Sequence, residues 1–358
     1  MSRTASIALL LGAASLTGGC VAAAIPVAAG GVIAKNKIGK RDRDAPRKPT
    51  REERRAAAAL PALGGTAQPG QIYRGNLPPP SGVAAAPAPA SARGPSVPAG
   101  MQYLYGSGEA TAASLQAYLA LNDWMVAKAT ARRIGDKVDS VVLAPGATLA
   151  SPRFLPCGDK PLAVVLDVDE TSLLNLGYEA DDSQRGTGYD AQRWDAWEKT
   201  GGNAVAAVPG VLEAKAVADS VGVTFVYNSN RAAANAGQTA ATLTRAGLGP
   251  AAHGSTLWLQ GDVGGGSGKD ARRAAIADKY CVIAMVGDQL GDFSDLFNAP
   301  GEGPQARRAF AASKALKTIW GHGWFVLPNP VYGTALKGGL DDVFPADKRW
   351  SPTAAATK

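Results

Sequence analysis

The chain has 358 residues, 43 of them glycine and 24 proline, which is enough for one catalytic domain with appendages and too few for three domains. Its net charge of +7 is local: Lys35–Arg55 carries ten Lys/Arg against four Asp/Glu, and Arg3 supplies the remaining excess. The chain beyond Arg55 is therefore electrically neutral, so a basic nucleic-acid-binding face has no support and no nucleic-acid polymer is expected as a partner.

Along the chain, residues 1–20 read as an export signal. Arg3 precedes an apolar run from Ile7 to Leu16, and Leu16-Thr17-Gly18-Gly19-Cys20 comes next. Small residues before a cysteine resemble the bacterial lipobox, in which Cys20 would be lipidated, although Leu16 stands four residues before it rather than three. Two other readings stay open. One is simple cleavage and secretion; the other is an uncleaved span over Ala5–Ala34, which conflicts with the basic cluster after it. Residues 21–100 are rich in Ala, Pro and Gly and hold too few large apolar side chains for a core, so a disordered tether is expected, with a short surface helix over Arg51–Leu60.

Residues 101–155 are expected to be a helical segment that packs on the core of the domain. Between Gly106 and Ile134, Leu115, Tyr118, Leu119, Leu121, Trp124 and Met125 fall near helical spacing. From residue 156 the rhythm changes. Leu162–Leu166, Val223–Tyr227, Cys281–Val286 and Trp324–Leu327 are short unbroken apolar runs, as expected of strands buried on both faces. Helical stretches at Val211–Ser220, Ala232–Ala246 and Lys269–Lys279 separate them. The alternation predicts an α/β fold with a parallel sheet covered on both faces, and reactive groups beyond the carboxyl ends of the strands.

The chemistry is read from the residue types that are missing and those that are concentrated. Only two histidines, His253 and His322, are present, which argues against a multi-histidine zinc site. No cysteine begins a C-x₅-R loop, and there is no C-x-x-C. Carboxylates gather instead. The first strand ends in Asp167-Val168-Asp169, and paired acids there call for a cation, with one as nucleophile and the other as general acid/base. The second strand ends in Asn228-Ser229-Asn230-Arg231, whose amide and hydroxyl donors could hold phosphate oxygens or merely cap the next helix. Gly264–Asp270 is not a P-loop, since Val263 stands where the first glycine is needed and Asp270 where Ser or Thr is needed; it leads instead to a helix whose first turn carries Lys269. The third strand ends in Gly287-Asp288-Gln289-Leu290-Gly291-Asp292. Four acids and one lysine at strand ends suit a hard cation with oxygen ligands, namely Mg²⁺.

The order D-x-D-x-T, Ser, Lys, G-D-x-x-x-D resembles the haloacid-dehalogenase (HAD) superfamily. Val165–Asn175 with Tyr178, Tyr227–Arg231, Gly287–Phe293, Leu327–Gly333 and Trp194-x-x-Trp197 are similar to the class C nonspecific acid phosphatases, the bacterial outer-membrane lipoprotein type of HAD subfamily IIIB. The resemblance covers roughly Tyr103–Leu340. It departs at Ala284, at Gln289, where the family prefers Asn or Thr, and in its longer tether.

The resemblance implies a three-layer HAD-like Rossmannoid core over 156–345, with a small cap insert at about 176–209, an N-terminal helical segment and a tail at 346–358. It makes Asp167 the nucleophile, Asp169 the general acid/base, and Ser229 and Lys269 holders of the phosphoryl group. It assigns Mg²⁺ to Asp167, the backbone carbonyl of Asp169 and Asp288, with Asp292 supporting them. Asn230, Tyr178, Trp194 and Tyr332 become substrate-binding candidates, the three aromatics as a slot for a ring. The implied activity is hydrolysis of phosphomonoesters, nucleoside 5′-monophosphates among them, by an exported lipoprotein of the periplasm or outer membrane, and a homodimer is left open. A different HAD phosphotransferase and a non-enzymatic surface lipoprotein binding nucleotide-like ligands are the competing readings.

Cys157 and Cys281 remain once Cys20 is set aside. Both precede their strands at the same end of the sheet, ten residues before Asp167 and seven before Asp288. A straight run would leave them ~10 Å apart, too far for a bridge, while Pro156 and Pro161 could fold the approach back. A disulfide and two free thiols are both open.

Overall fold

The computed structural model describes residues 96–351. The expected export signal, Cys20, the Arg51–Leu60 helix and nearly all of the tether lie outside the described residues. Among those described, no helix is long and apolar enough to cross a membrane.

The chain enters through α1 (Ala99–Gly106) and α2 (Gly108–Arg133). Ser107 separates them, and its side chain accepts a hydrogen bond from Ala110 N at 3.1 Å, capping α2. Tyr118, Leu121, Met125 and Ala129 form the buried stripe of α2 at helical spacing. Leu115 and Leu119, expected in that stripe, face solvent instead. They lie on the turns beside it, where apolar residues are common and carry no packing information. The helix spans Gly108–Arg133, close to the expected Gly106–Ile134. From Ile134 to Pro161 the chain is irregular apart from a bridge between Leu143 and Phe154, because Gly135 turns with φ +86° and Pro145, Pro152 and Pro156 each interrupt a helix.

The core then runs as β1 (Leu162–Leu166), β2 (Leu173–Leu174), α3 (Leu176–Arg185), α4 (Ala191–Thr200), β3 (Ala206–Ala207), α5 (Val211–Val221), β4 (Thr224–Ala232), α6 (Ala236–Arg245), β5 (Leu257–Gln260), α7 (Asp270–Lys279), β6 (Cys281–Gly287), α8 (Pro304–Ala311) and β7 (Trp324–Val326). Five of the strands form one parallel sheet in the order β5-β4-β1-β6-β7. Alternate residues of β1 feed two separate cores. Val164 and Leu166 pack with Tyr118, Leu121, Met125, Val211 and Leu243 on one face. Ala163 and Val165 pack with Ile276, Phe293, Phe297 and Trp324 on the other. Burial on both faces is why β1 and β6 read as continuous apolar runs.

Four of the strands match apolar runs in the sequence. β5 does not: it follows a turn at Gly254–Thr256, and of its residues Leu257, Trp258 and Leu259 alone are buried. The helix expected from Ala232 begins at Ala236, since β4 runs on through Arg231 and Ala232. The insertion between β2 and β3 holds α3 and α4, and its two stems pair antiparallel, Leu173 with Ala207 and Leu174 with Ala206.

Cys157 and Cys281 are joined by a disulfide, with Cα atoms 4.6 Å apart. The straight-chain separation fails because Gly158 takes φ +55° and turns the chain back before Pro161. Cys281 is paired with Leu162, so the returning segment brings Cys157 against it. The bridge closes 124 residues, a separation at which loop entropy favours the cross-linked fold. Reduction, or Cys157→Ser, is expected to lower unfolding stability by about 2–5 kcal/mol, read as a shift in the urea midpoint. An unchanged midpoint would mean that the surrounding core already fixes this end of the sheet.

Candidate active site

β1 ends at Leu166, and the chain turns at once through Asp167, Val168 and Asp169. Val168 is fully buried and anchors the turn, while Ser172 Oγ donates to Asp167 O at 2.6 Å. Glu170 takes a left-handed backbone, φ 52°, which is uncommon for a residue with a side chain and marks a turn held by its surroundings. The register places this turn between the ends of β4 and β6, because Leu166 pairs with Tyr227 on one side and Val286 on the other.

Lys269 reaches the site from the start of α7. Asp295 fixes that start, accepting Lys269 N and Asp270 N at 2.8 Å each. The Lys269 ammonium lies 2.6 Å from Asp167 Oδ1 and 2.7 Å from Asp292 Oδ1. Burial alone would lower the Lys269 pKa, but the two carboxylates outweigh it and hold the ammonium charged.

Asp288 and Asp292 come from the turn after β6. Gly287 permits it: a Cβ there would stand 2.2 Å from that of Asp292. Asp292 Oδ2 accepts Gln289 N at 2.8 Å. Asp288 accepts from Thr171 Oγ1 at 2.9 Å, Asn329 Nδ2 at 2.8 Å and Gln289 Nε2 at 3.1 Å. Gln289, a departure from the family pattern, thus bonds Asp288 and also the Tyr332 carbonyl at 3.2 Å. Gly333 makes room for it, since a Cβ would lie 2.3 Å from Gln289 Oε1.

Asp167, Asp288 and Asp292 each offer a carboxylate oxygen, and the three lie within 4.8 Å of one another. The Asp169 side chain is held apart from this group. Arg231 grips it at 2.8 Å through Nη2 and 3.0 Å through Nε, and Asn175 Nδ2 donates at 2.9 Å. Ser229 is fully buried and its Oγ lies 3.4 Å from Asp169 Oδ2. Asn230 is exposed on the cavity wall, where its Oδ1 accepts from Arg272 at 2.5 Å.

The carboxylates Asp167, Asp169, Glu170, Asp288 and Asp292 outnumber Lys269 and Arg231, the cations that touch them. Burial pushes the Asp167 carboxyl well up, against the pull of Lys269, and Asp292 and Asp288 add to the rise. Burial, then Asp292, moves Asp288 up to about 7. A site short of positive charge in this way is prepared for a cation.

A cavity of about 1020 Å³ opens above these residues and is also lined by Tyr178, Trp194 and Tyr332. Tyr178 and Trp194 meet edge to face with centroids 4.9 Å apart. Tyr332 donates its hydroxyl to Glu170. Trp197 instead packs against Gly177 and Gly201, and its Nε1 donates to Asn175 Oδ1 at 3.1 Å.

Sequence reasoning gave no role to Glu170, Asn175, Arg231 or Asn329. Glu170 is buried and accepts from Tyr105 Oη at 3.1 Å and Asn175 N at 2.9 Å, besides Tyr332. Burial, then Asp169, raises its carboxyl to about 8. For Arg231 the sequence held little signal, since it follows the polar run Asn228-Ser229-Asn230 and its burial comes from β4 running on through Ala232.

Residues 109–335 match the family described as HAD superfamily, subfamily IIIB (Acid phosphatase). Among solved structures, the chain is similar to the class C acid phosphatase from Bacillus anthracis, at 26% sequence identity and a TM-score of 0.51, over 66% of this chain and 84% of that one. The tungstate-bound crystal structure of class C acid phosphatase from Bacillus anthracis matches at 26% identity and a TM-score of 0.52, with the same coverage.

Proposed function

The chain belongs to the acid phosphatases of HAD subfamily IIIB, and from that premise we propose that it hydrolyses phosphomonoesters through an aspartyl-phosphate formed on Asp167. The carrying observation is the separation of two neighbouring carboxylates into different surroundings. Asp167 stands against Lys269 beside Asp288 and Asp292, while Asp169 is turned toward Arg231 and Asn175. Such a division supports nucleophile and acid/base roles in a single turn.

In the first step an Asp167 oxygen bonds to phosphorus and the bond to the ester oxygen breaks. Asp169 gives that oxygen its proton. In the second step Asp169 takes a proton from water, the water oxygen bonds to phosphorus, and the acyl-phosphate bond to Asp167 breaks. Lys269 and the Ser229 hydroxyl hold phosphoryl oxygens through both steps. Arg231 and Asn175 keep Asp169 from swinging into the metal-ligand group. The tungstate-bound relative supports a seat for a tetrahedral oxyanion in this fold.

The oxygen set of Asp167, Asp288 and Asp292 fits a hard divalent cation, since three carboxylate oxygens lie within 4.8 Å of one another and Lys269 is the one ammonium paired with the group among the described residues. We assign it Mg²⁺, with the Asp169 backbone carbonyl as a further ligand. When bound, Mg²⁺ would neutralise charge on the phosphoryl oxygens.

Hydrolysis of 4-nitrophenyl phosphate that stops in chelator and returns with Mg²⁺ is the expected behaviour. No hydrolysis with any divalent cation would overturn the reading. Asp288→Asn is expected to weaken Mg²⁺ on the order of tenfold or more while leaving the unfolding midpoint in place; an unchanged Mg²⁺ titration would remove Asp288 from the ligand set.

Tyr178, Trp194 and Tyr332 favour a leaving group with a ring, nucleoside 5′-monophosphates included. We place the protein outside the cytoplasm, anchored through Cys20 in the periplasm or outer membrane. The Cys157–Cys281 disulfide supports this, because such bridges persist in oxidising compartments.

A further inference from the structure

The insertion lines the cavity with acidic side chains as well as aromatic ones. Glu179, Asp182, Asp195 and Glu198 face it from α3 and α4, and Lys269 is the one lysine or arginine among the described residues that line it. Three of these acids are already engaged. Asp182 is paired with Arg193, and Asp195 with Lys199 at 2.6 Å. Glu198 accepts Ala232 N at 3.0 Å and Asn235 Nδ2 at 2.8 Å.

Glu179 differs. It is only 6% exposed, it borders the cavity, and among the described residues its carboxylate has neither a hydrogen-bond donor nor an ion-pair partner. A carboxylate so enclosed is costly to leave charged without a partner. Burial, then Asp182, raises it to about 7 against the pull of Arg193. Arg193 cannot turn to it without leaving Asp181, Asp182, the Tyr178 hydroxyl and the Gly188 carbonyl. Beside Glu179 in the chain is Tyr178, whose ring meets Trp194. The Arg193 guanidinium already lies 4.7 Å from the Tyr178 centroid and that of Arg231 6.0 Å from the Trp194 centroid, so the pair offers a ring surface to pack on while Glu179 offers the unmatched charge. An unpartnered buried acid and an aromatic pair therefore border the same cavity as Lys269.

We infer that the cavity selects phosphomonoesters whose leaving group carries a positive charge, a protonated amine on a ring-bearing alcohol or phenol, with Glu179 as its counter-ion. This deepens the phosphatase reading and rests on it. The phosphoryl end sits at Asp167 and Lys269, and the ring extends past Trp194 toward the insertion. A negatively charged leaving group meets the unpaired Glu179 and is disfavoured.

The test compares two aryl phosphates of matched shape, 4-(2-aminoethyl)phenyl phosphate and 4-propylphenyl phosphate, in the full chain with Mg²⁺ at neutral pH. The expected kcat/KM ratio is about tenfold in favour of the amine, carried mainly by KM. In Glu179→Gln, which keeps the size of the side chain, the ratio falls to about one. A wild-type ratio of one or less, or an undiminished ratio in Glu179→Gln, overturns the inference while leaving the phosphatase reading standing. Failure to hydrolyse either ester overturns the phosphatase reading and this inference with it.

Discussion

Asp167→Asn is expected to lose turnover by ~10⁴-fold or more while the protein stays folded. The carboxamide has nearly the size of the carboxylate and cannot form the acyl-phosphate. Lys269 keeps its contact with Asp292 at 2.7 Å, so its ammonium is not stranded. Burial already disfavours the ionised form of Asp167, and Asp292, Asp288 and Asp169 add like charge. Removing one negative charge from this group relieves repulsion, and the urea midpoint is expected to hold or rise. Residual activity above a few percent would end the role of Asp167 as nucleophile. A lost fold would show instead that Asp167 is a structural partner of Lys269.

Asp169→Asn is expected to cost about 10²–10⁴-fold in kcat, because an amide neither protonates the ester oxygen nor accepts a proton from water. Esters with good leaving groups need the first proton less, so 4-nitrophenyl phosphate should lose less in the first step than an alkyl phosphate. The structural penalty is limited. Arg231 loses its carboxylate partner but remains bonded to Asn175 Oδ1 at 3.0 Å, with Glu198 and Glu170 near enough to favour its charge. The stability loss should therefore stay below the roughly 3–5 kcal/mol typical of stranding a buried charge. Equal losses of kcat/KM for both esters, a ratio that dephosphorylation does not enter, would contradict the acid role.

The parts of the fold that the sequence shows most clearly are those where physics acts on neighbours in the chain. Leu162–Leu166 and Cys281–Gly287 are buried on both faces, so every residue is apolar and the strands are visible as runs. The first polar residues beyond them, Asp167 and Asp288, then stand out as groups that need a reason to be there. β5 lacked that contrast, since only Leu257, Trp258 and Leu259 are buried in it. Partners distant in sequence left no local trace. Arg231 and Asp169 are 62 residues apart and meet only because β4 lies beside β1. The Glu170 bonds to Tyr105 and Tyr332 depend on α1 and the segment after β7 reaching the same turn. The disulfide turned on the backbone of Gly158, a conformation that glycine permits but does not announce.

The central claim is that phosphate passes through Asp167, and Asp169→Asn offers the most direct view of it, because that variant lacks the base for the second step. The variant is mixed with 4-nitrophenyl phosphate and Mg²⁺, quenched in acid and digested, and its peptides are weighed. The expected result is one added phosphoryl group on the peptide that carries Asp167, removed by hydroxylamine as an acyl phosphate must be. A phosphoryl group on another residue, such as Ser229, or nitrophenol released with no phosphorylated peptide at any time, would contradict it.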